Sequence, residues 1–170
     1  MNKTLKTALL LLFPLILTGC FSYSFQGGSI PKDVNTIFIA YFSDETGSGR
    51  AQLSDQLFRA LEDRFVNQSR LQLSDTEGEA DVVLRGTLRS YSNRPFAITS
   101  DELSNENRVS IEVTASYQYT SEPSPEWSRS FSGFANYDPA ENPIQGERDA
   151  TEEALEKLAL DMFNESVARW

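Results

Sequence analysis

Arg108-Val109-Ser110-Ile111-Glu112-Val113-Thr114-Ala115-Ser116-Tyr117-Gln118-Tyr119 is the stretch that decides the fold. Val109, Ile111, Val113, Ala115, Tyr117 and Tyr119 take every second position, and Ser110, Glu112, Thr114, Ser116 and Gln118 take the others. Side chains alternate between the two faces of an extended chain, so the pattern predicts a strand with one buried face and one polar face. Upstream, Val82-Val83-Leu84 leads into Arg85 to Tyr91. Leu84, Gly86 and Leu88 share one face there, and Arg85, Thr87, Arg89 and Tyr91 share the other. Downstream, the proline-bearing Glu122 to Pro125 makes a turn, and Trp127 to Tyr137 gives a third strand with Trp127, Phe131 and Tyr137 on one side. Three such strands in succession imply an antiparallel meander with one face in the core and one in solvent.

Helical periods flank the meander. Leu53, Leu57, Ala60, Leu61 and Phe65 mark one face of an amphipathic helix that ends at Asn67 to Ser69. Beyond a polar loop from Asp138 to Gly146, Asp149 and Glu152 suit a capping box. Leu155, Leu158, Ala159, Met162, Phe163, Val167 and Trp170 then form a broad apolar stripe. Thr36 to Phe42 is a continuous apolar run of strand length, and Leu71 and Leu73 suit a brief strand. The expected class is α+β: a two-layer sandwich with two helices on one face of a largely antiparallel four- to five-stranded sheet, spanning residues 36–170.

The N-terminus reads differently. Lys3 and Lys6 precede an apolar run, Ala8 to Leu17, that has the length of a signal h-region and is short for a bilayer span. It ends in Leu17-Thr18-Gly19-Cys20, the form of a lipobox. The expectation is a lipoprotein signal over residues 1–19, acylation at Cys20 and a tether over residues 20–35; a plain secretory signal with a chance cysteine is the competing reading. Cys20 is the sole cysteine, so it has no intramolecular disulfide partner. Several acyl chains on one residue hold to a membrane where one chain holds only marginally. Loss of Lys3 and Lys6 would take the formal charge from −10 to −12. That balance argues against nucleic acid and against electrostatic adhesion to anionic lipid.

Chemistry for catalysis is sparse. There is no histidine, no phosphate loop and no metal-ligand spacing, and the carboxylates are scattered. No enzyme activity and no cofactor beyond the acyl lipid are expected. Arg85 and Arg89 share the polar side of one strand, while Arg94 and Arg108 flank the loop after it. Guanidinium groups suit bidentate contact with phosphate, so these four are the candidate binding residues for an anionic glycolipid headgroup. The alternative is that they pair with neighbours such as Glu112. Trp127 and Phe134 are candidate interface residues: strand parity sets Phe134 opposite Trp127, Phe131 and Tyr137, with core packing as the alternative.

The chain resembles the outer-membrane lipopolysaccharide-assembly lipoprotein family, LptE, in its Bacteroidetes-type branch. The resemblance is carried by Cys20 with Tyr23-Ser24-Phe25-Gln26-Gly27-Gly28-Ser29-Ile30-Pro31, by Ile37-Phe38-Ile39, and by Leu53-Ser54-Asp55-Gln56-Leu57. Ala80-Asp81-Val82, Asn107-Arg108-Val109, Trp127 to Phe134, Asp161-Met162-Phe163-Asn164 and Val167 to Trp170 add to it. It implies a lipid-anchored domain at the outer membrane that plugs the lumen of a large β-barrel, LptD, assists that barrel's assembly and helps lipopolysaccharide reach the surface. A stand-alone lipid- or glycan-binding envelope lipoprotein without a barrel partner is the alternative.

Overall fold

The computed structural model describes residues 30–96 and 106–167. Cys20, the signal, most of the tether and Trp170 lie outside them.

The chain enters through β1 (Thr36–Ile39) and β2 (Ser43–Asp44), then α1 (Leu53–Glu62), which runs on as a π-helical turn, Asp63–Asn67. β3 (Gln72–Leu73) and a 3₁₀ turn (Glu77–Glu79) lead to the long strands β4 (Val82–Phe96), β5 (Glu106–Tyr119) and β6 (Trp127–Tyr137), and α2 (Pro143–Val167) closes the fold. Strand order is β3-β1-β4-β5-β6, with β2 also beside β4. β4–β5 and β5–β6 are the antiparallel meander expected. The expected class stands, with six strands and a mixed sheet: β1 pairs with β3 and β4 in parallel, and β2 pairs with β4 in parallel. Parallel neighbours need a crossover, and α1 supplies it between β1 and β3.

Alternation in β5 plays out as its residues dictate. Val109, Ile111, Val113, Ala115 and Tyr117 are buried, and the intervening residues are not. Leu53, Leu57, Leu61 and Phe65 from the first helix and Leu155, Leu158, Ala159 and Met162 from α2 close over that face. Each fully buried Leu, Ile or Met stabilises the fold by about 1.5–3 kcal/mol over leaving it exposed. Packing is tight at Gly133 of β6, where an added Cβ would sit 2.2 Å from the Ala154 carbonyl oxygen of α2.

Two local expectations are corrected. α2 begins six residues before Asp149, because Asn142 caps it: its Oδ1 accepts the Gln145 N–H at 3.2 Å, and Pro143 takes the first helical position. Asp149 lies inside the helix and accepts from Gln145 Nε2. Tyr91 faces the helices, not the polar side. The β4–β5 register slips between Leu88 and Ser90, and that bulge reverses strand parity beyond Arg89.

Candidate functional site

With the helices on one face, the other face of β4–β5–β6 is open. Cross-strand register lays its residues out in rows: Arg85–Ser116–Ser128, Thr87–Thr114–Ser130, Ser90–Glu112–Ser132, Ser92–Ser110–Phe134 and Arg94–Arg108–Asn136. This is a surface of small hydroxyls with arginines along β4 and at its far end. A shallow depression of about 250 Å³ lies between Arg85 and Arg89, floored by Thr87, Thr114, Ser116 and Ser128.

The four candidate arginines fall into two pairs. Arg85 donates to Glu77 of the 3₁₀ turn at 2.6 Å, and Arg89 pairs with Glu45 just after β2 while its Nε reaches Thr114 Oγ1 at 3.3 Å. The partner suggested from sequence, Glu112, accepts instead from Ser90 Oγ. Glu45 lies 44 residues from Arg89 in the chain, and only the β2–β4 pairing brings it near. No local signal in the sequence could have found it.

Arg94 and Arg108 face each other across β4 and β5 at the far end of the sheet. Among the described residues neither forms an ion pair, although like charges directly opposite repel. Arg108 is instead held by aromatic faces: its Cζ lies 3.3 Å from the Phe96 ring centroid and 4.4 Å from that of Phe134, and its Nε donates to Asn136 Oδ1 at 2.8 Å. Phe134 is 49% exposed, as parity required. Trp127 is 3% exposed and stacks on Tyr117 with ring centroids 5.9 Å apart, so it belongs to the core and offers no surface for an interface.

Behind the sheet, a polar cluster that sequence reasoning missed joins the layers. Arg50 pairs with Glu147 of α2, Tyr91 donates to the same carboxylate at 2.8 Å, and the Arg50 guanidinium lies over the Tyr91 ring. Burial pushes Tyr91 up to about 12. For Glu147 burial is the largest single influence and acts upward. Hydrogen bonds from Tyr91 and Asn93, with the charge and hydrogen bond of Arg50, outweigh it, and the carboxyl ends below its ordinary value.

A hollow of about 660 Å³ lies at the other end of the sheet and is lined by Asp33, Glu79, Asp81 and Glu122, with no basic side chain. It does not suit an anion. Among the described residues no group of three or more His, Cys, Asp or Glu is placed to hold a metal, and no helix is long and apolar enough to cross a membrane.

The family model for lipopolysaccharide assembly, LptE, matches residues 34–166. No curated protein matches the chain. Among solved structures, a protein from Xanthomonas campestris is 17% identical with a TM-score of 0.60, over 81% of this chain and 86% of that one. Lipoprotein B from Nitrosomonas europaea is 10% identical with a TM-score of 0.55, over 87% and 90%. A minor lipoprotein from Acinetobacter baumannii is 18% identical with a TM-score of 0.50, over 79% and 94%. At these identities the likeness is one of fold.

Proposed function

This chain belongs to the lipopolysaccharide-assembly family LptE, and from that premise we propose that it is the lipoprotein subunit of an outer-membrane lipopolysaccharide translocon. Acylation at Cys20 anchors it to the outer membrane. The folded domain sits in and helps assemble a large β-barrel of the LptD type, and assists delivery of lipopolysaccharide to the cell surface without a catalytic step of its own.

The observation that carries this reading is the family match over nearly all of the folded domain. The open sheet face supports it. A surface of small hydroxyls with arginines and one exposed phenylalanine fits a polar, anionic glycolipid and the polar lumen of a barrel, whereas an all-apolar face would fit neither. Arg85, Arg89, Arg94 and Arg108 are the proposed lipopolysaccharide contacts, and Phe134 is the proposed interface residue.

Extraction of native membranes in mild detergent tests the partner. The expected result is recovery of this protein with a much larger β-barrel protein, and reduced surface lipopolysaccharide when its gene is deleted. Recovery as a free monomer, with lipopolysaccharide export intact after deletion, would overturn the proposal.

A further inference from the structure

The sheet ends in two unlike edges. β3, at one end of the strand order, is two residues long. β6, at the other, runs for eleven residues with no proline and no slip in its register against β5. An edge strand leaves alternate residues with backbone N–H and C=O groups unpaired, and proteins blunt such edges with short strands, prolines, bulges or charged side chains. β3 is blunted by its length. β6 has only charges, and only at two places.

Lys157 of α2 reveals which residues of β6 turn outward. It starts on the helix-covered face and reaches round the edge to donate to the Phe134 carbonyl at 3.0 Å, ending 5.6 Å from the centre of the Phe134 ring on the opposite face. That carbonyl therefore points away from β5, and alternation turns the backbone of Ser128, Ser130 and Ser132 the same way. Lys157, itself held by Glu153 at 2.7 Å, closes the ladder at Phe134. Arg129 is drawn toward α2 by Glu165 at 3.1 Å. Between these two cations the three serines are exposed, with short side chains and outward N–H and C=O groups, and among the described residues no strand pairs with them.

The surroundings select an occupant. Serines leave room on the open face for bulky side chains at alternate positions of an added strand. On the helix side, the row of α2 that borders β6 is Glu153, Lys157, Asp161 and Glu165. Glu153 and Glu165 take up Lys157 and Arg129, while Asp161 forms no ion pair among the described residues. The chain carries a formal charge of −10, which opposes a second copy at this edge and favours a cationic segment.

We propose that the outer edge of β6 accepts an extended, basic segment of a partner protein as an added strand, hydrogen-bonded to Ser128, Ser130 and Ser132, with its cationic side chains toward Asp161 and Glu165. The site is made of backbone groups at the sheet edge and uses none of the arginines of the open face. It does not depend on the translocon reading.

The test uses the full chain, purified in mild detergent, and an acetylated heptapeptide amide that alternates lysine with valine. Amide hydrogen exchange reads the edge. In the free protein the Ser128, Ser130 and Ser132 amides should exchange rapidly, while those of Arg129, Phe131 and Gly133, which face β5, stay protected. With the peptide bound, the serine amides should slow roughly tenfold or more. Absence of that protection, or protection elsewhere instead, would overturn the site.

Methylating alternate peptide nitrogens, one set and then the other, removes the donors of one peptide edge at a time. At least one form should bind roughly tenfold or more weakly than the parent, and full affinity in both would overturn strand addition. Ser130→Pro deletes one outward N–H without touching the ladder to β5, and should weaken the parent peptide by a similar factor. Unchanged binding would again overturn strand addition. Circular dichroism checks the fold of Ser130→Pro, and the methylated peptides decide the matter on the wild-type protein alone. A peptide with glutamate in place of lysine should bind roughly tenfold or more weakly at low salt, and equal affinity would overturn the basic character of the partner. A dimer in sedimentation without peptide, abolished by Ser130→Pro, would make a second copy the occupant and overturn the proposal. Barrel co-purification scores the translocon reading separately, so failure of the edge and failure of that reading are distinguishable.

Discussion

Asp81 fastens the first strand to the sheet. Its Oδ2 accepts the Asn35 N–H at 2.7 Å, the Thr36 N–H at 2.9 Å and the Thr36 hydroxyl at 3.0 Å, while its own N–H donates to Thr36 Oγ1. Donation by the Asn35 backbone, then by that of Thr36, holds this carboxyl below its ordinary value against the opposing effect of burial. A lowered carboxyl contributes stability that is present above its unfolded-state value and is lost as pH falls through the folded one. Asp81→Ala should therefore cost about 1–2 kcal/mol in urea unfolding at pH 7, and the gap to wild type should narrow below pH 4. At the alkaline end the sign reverses. Burial raises Tyr91 and Tyr119 to about 12 and Tyr117 higher still. A tyrosine that stays neutral in the folded state contributes stability that is full below about pH 10, where the unfolded chain begins to ionise, and is lost as pH climbs through the folded value. Thermal melts should hold steady up to about pH 10 and fall steeply between 10 and 12. Tyr91→Phe should soften that fall. Sequence parity set Tyr91 on the polar side, and the one-residue bulge that turned it inward carries no signature in Leu88-Arg89-Ser90.

At the scale of elements, the contact between β6 and α2 is where small residues matter most. Gly133 and Ala154 let helix and strand approach until the position of a Cβ on Gly133 is already filled by the Ala154 carbonyl and by Leu158. Gly133→Val must push α2 off the sheet or bend β6, and overpacking of this kind costs about 1–3 kcal/mol. Denaturant unfolding measures it: the midpoint should fall with little change in slope, whereas an unchanged midpoint would mean that the two elements move apart freely. Element type was legible for the three long strands and both helices, because β5 alternates with period two and the helices carry apolar stripes at helical spacing. Element ends were less so. Asp149 with Glu152 reads as a cap in isolation, but Asn142-Pro143 combines a capping side chain with a proline at the first helical position, and the helix nucleates there.

For the whole molecule, the proposed anchor at Cys20 and the described domain are expected to be separable parts. The described core is assembled from Ile30 onward. Cys20→Ala should leave the domain folded, with an unchanged circular dichroism spectrum and melting temperature, yet lower the yield of assembled barrel by diluting the domain away from the membrane. A Cys20→Ala protein that fails to fold would contradict this. Side-chain periodicity along one element at a time was enough for the class of fold, the two helices, the three long strands and the polarity of each sheet face up to the bulge at Arg89. Parity also offered Phe134 as a residue opposite the core, with core packing as the alternative, and because parity is intact throughout β6 the side chain is exposed. Tertiary structure alone decided which carboxylates hold Arg85 and Arg89, that Arg94 and Arg108 stand apart from them, and that Arg50, Tyr91 and Glu147 meet across the layers. Apart from Arg85 and Glu77, which are eight positions apart, these contacts join residues that are distant in sequence, through pairings of short strands and a bulge. Their energies are small and non-periodic, so no pattern along the chain announces them.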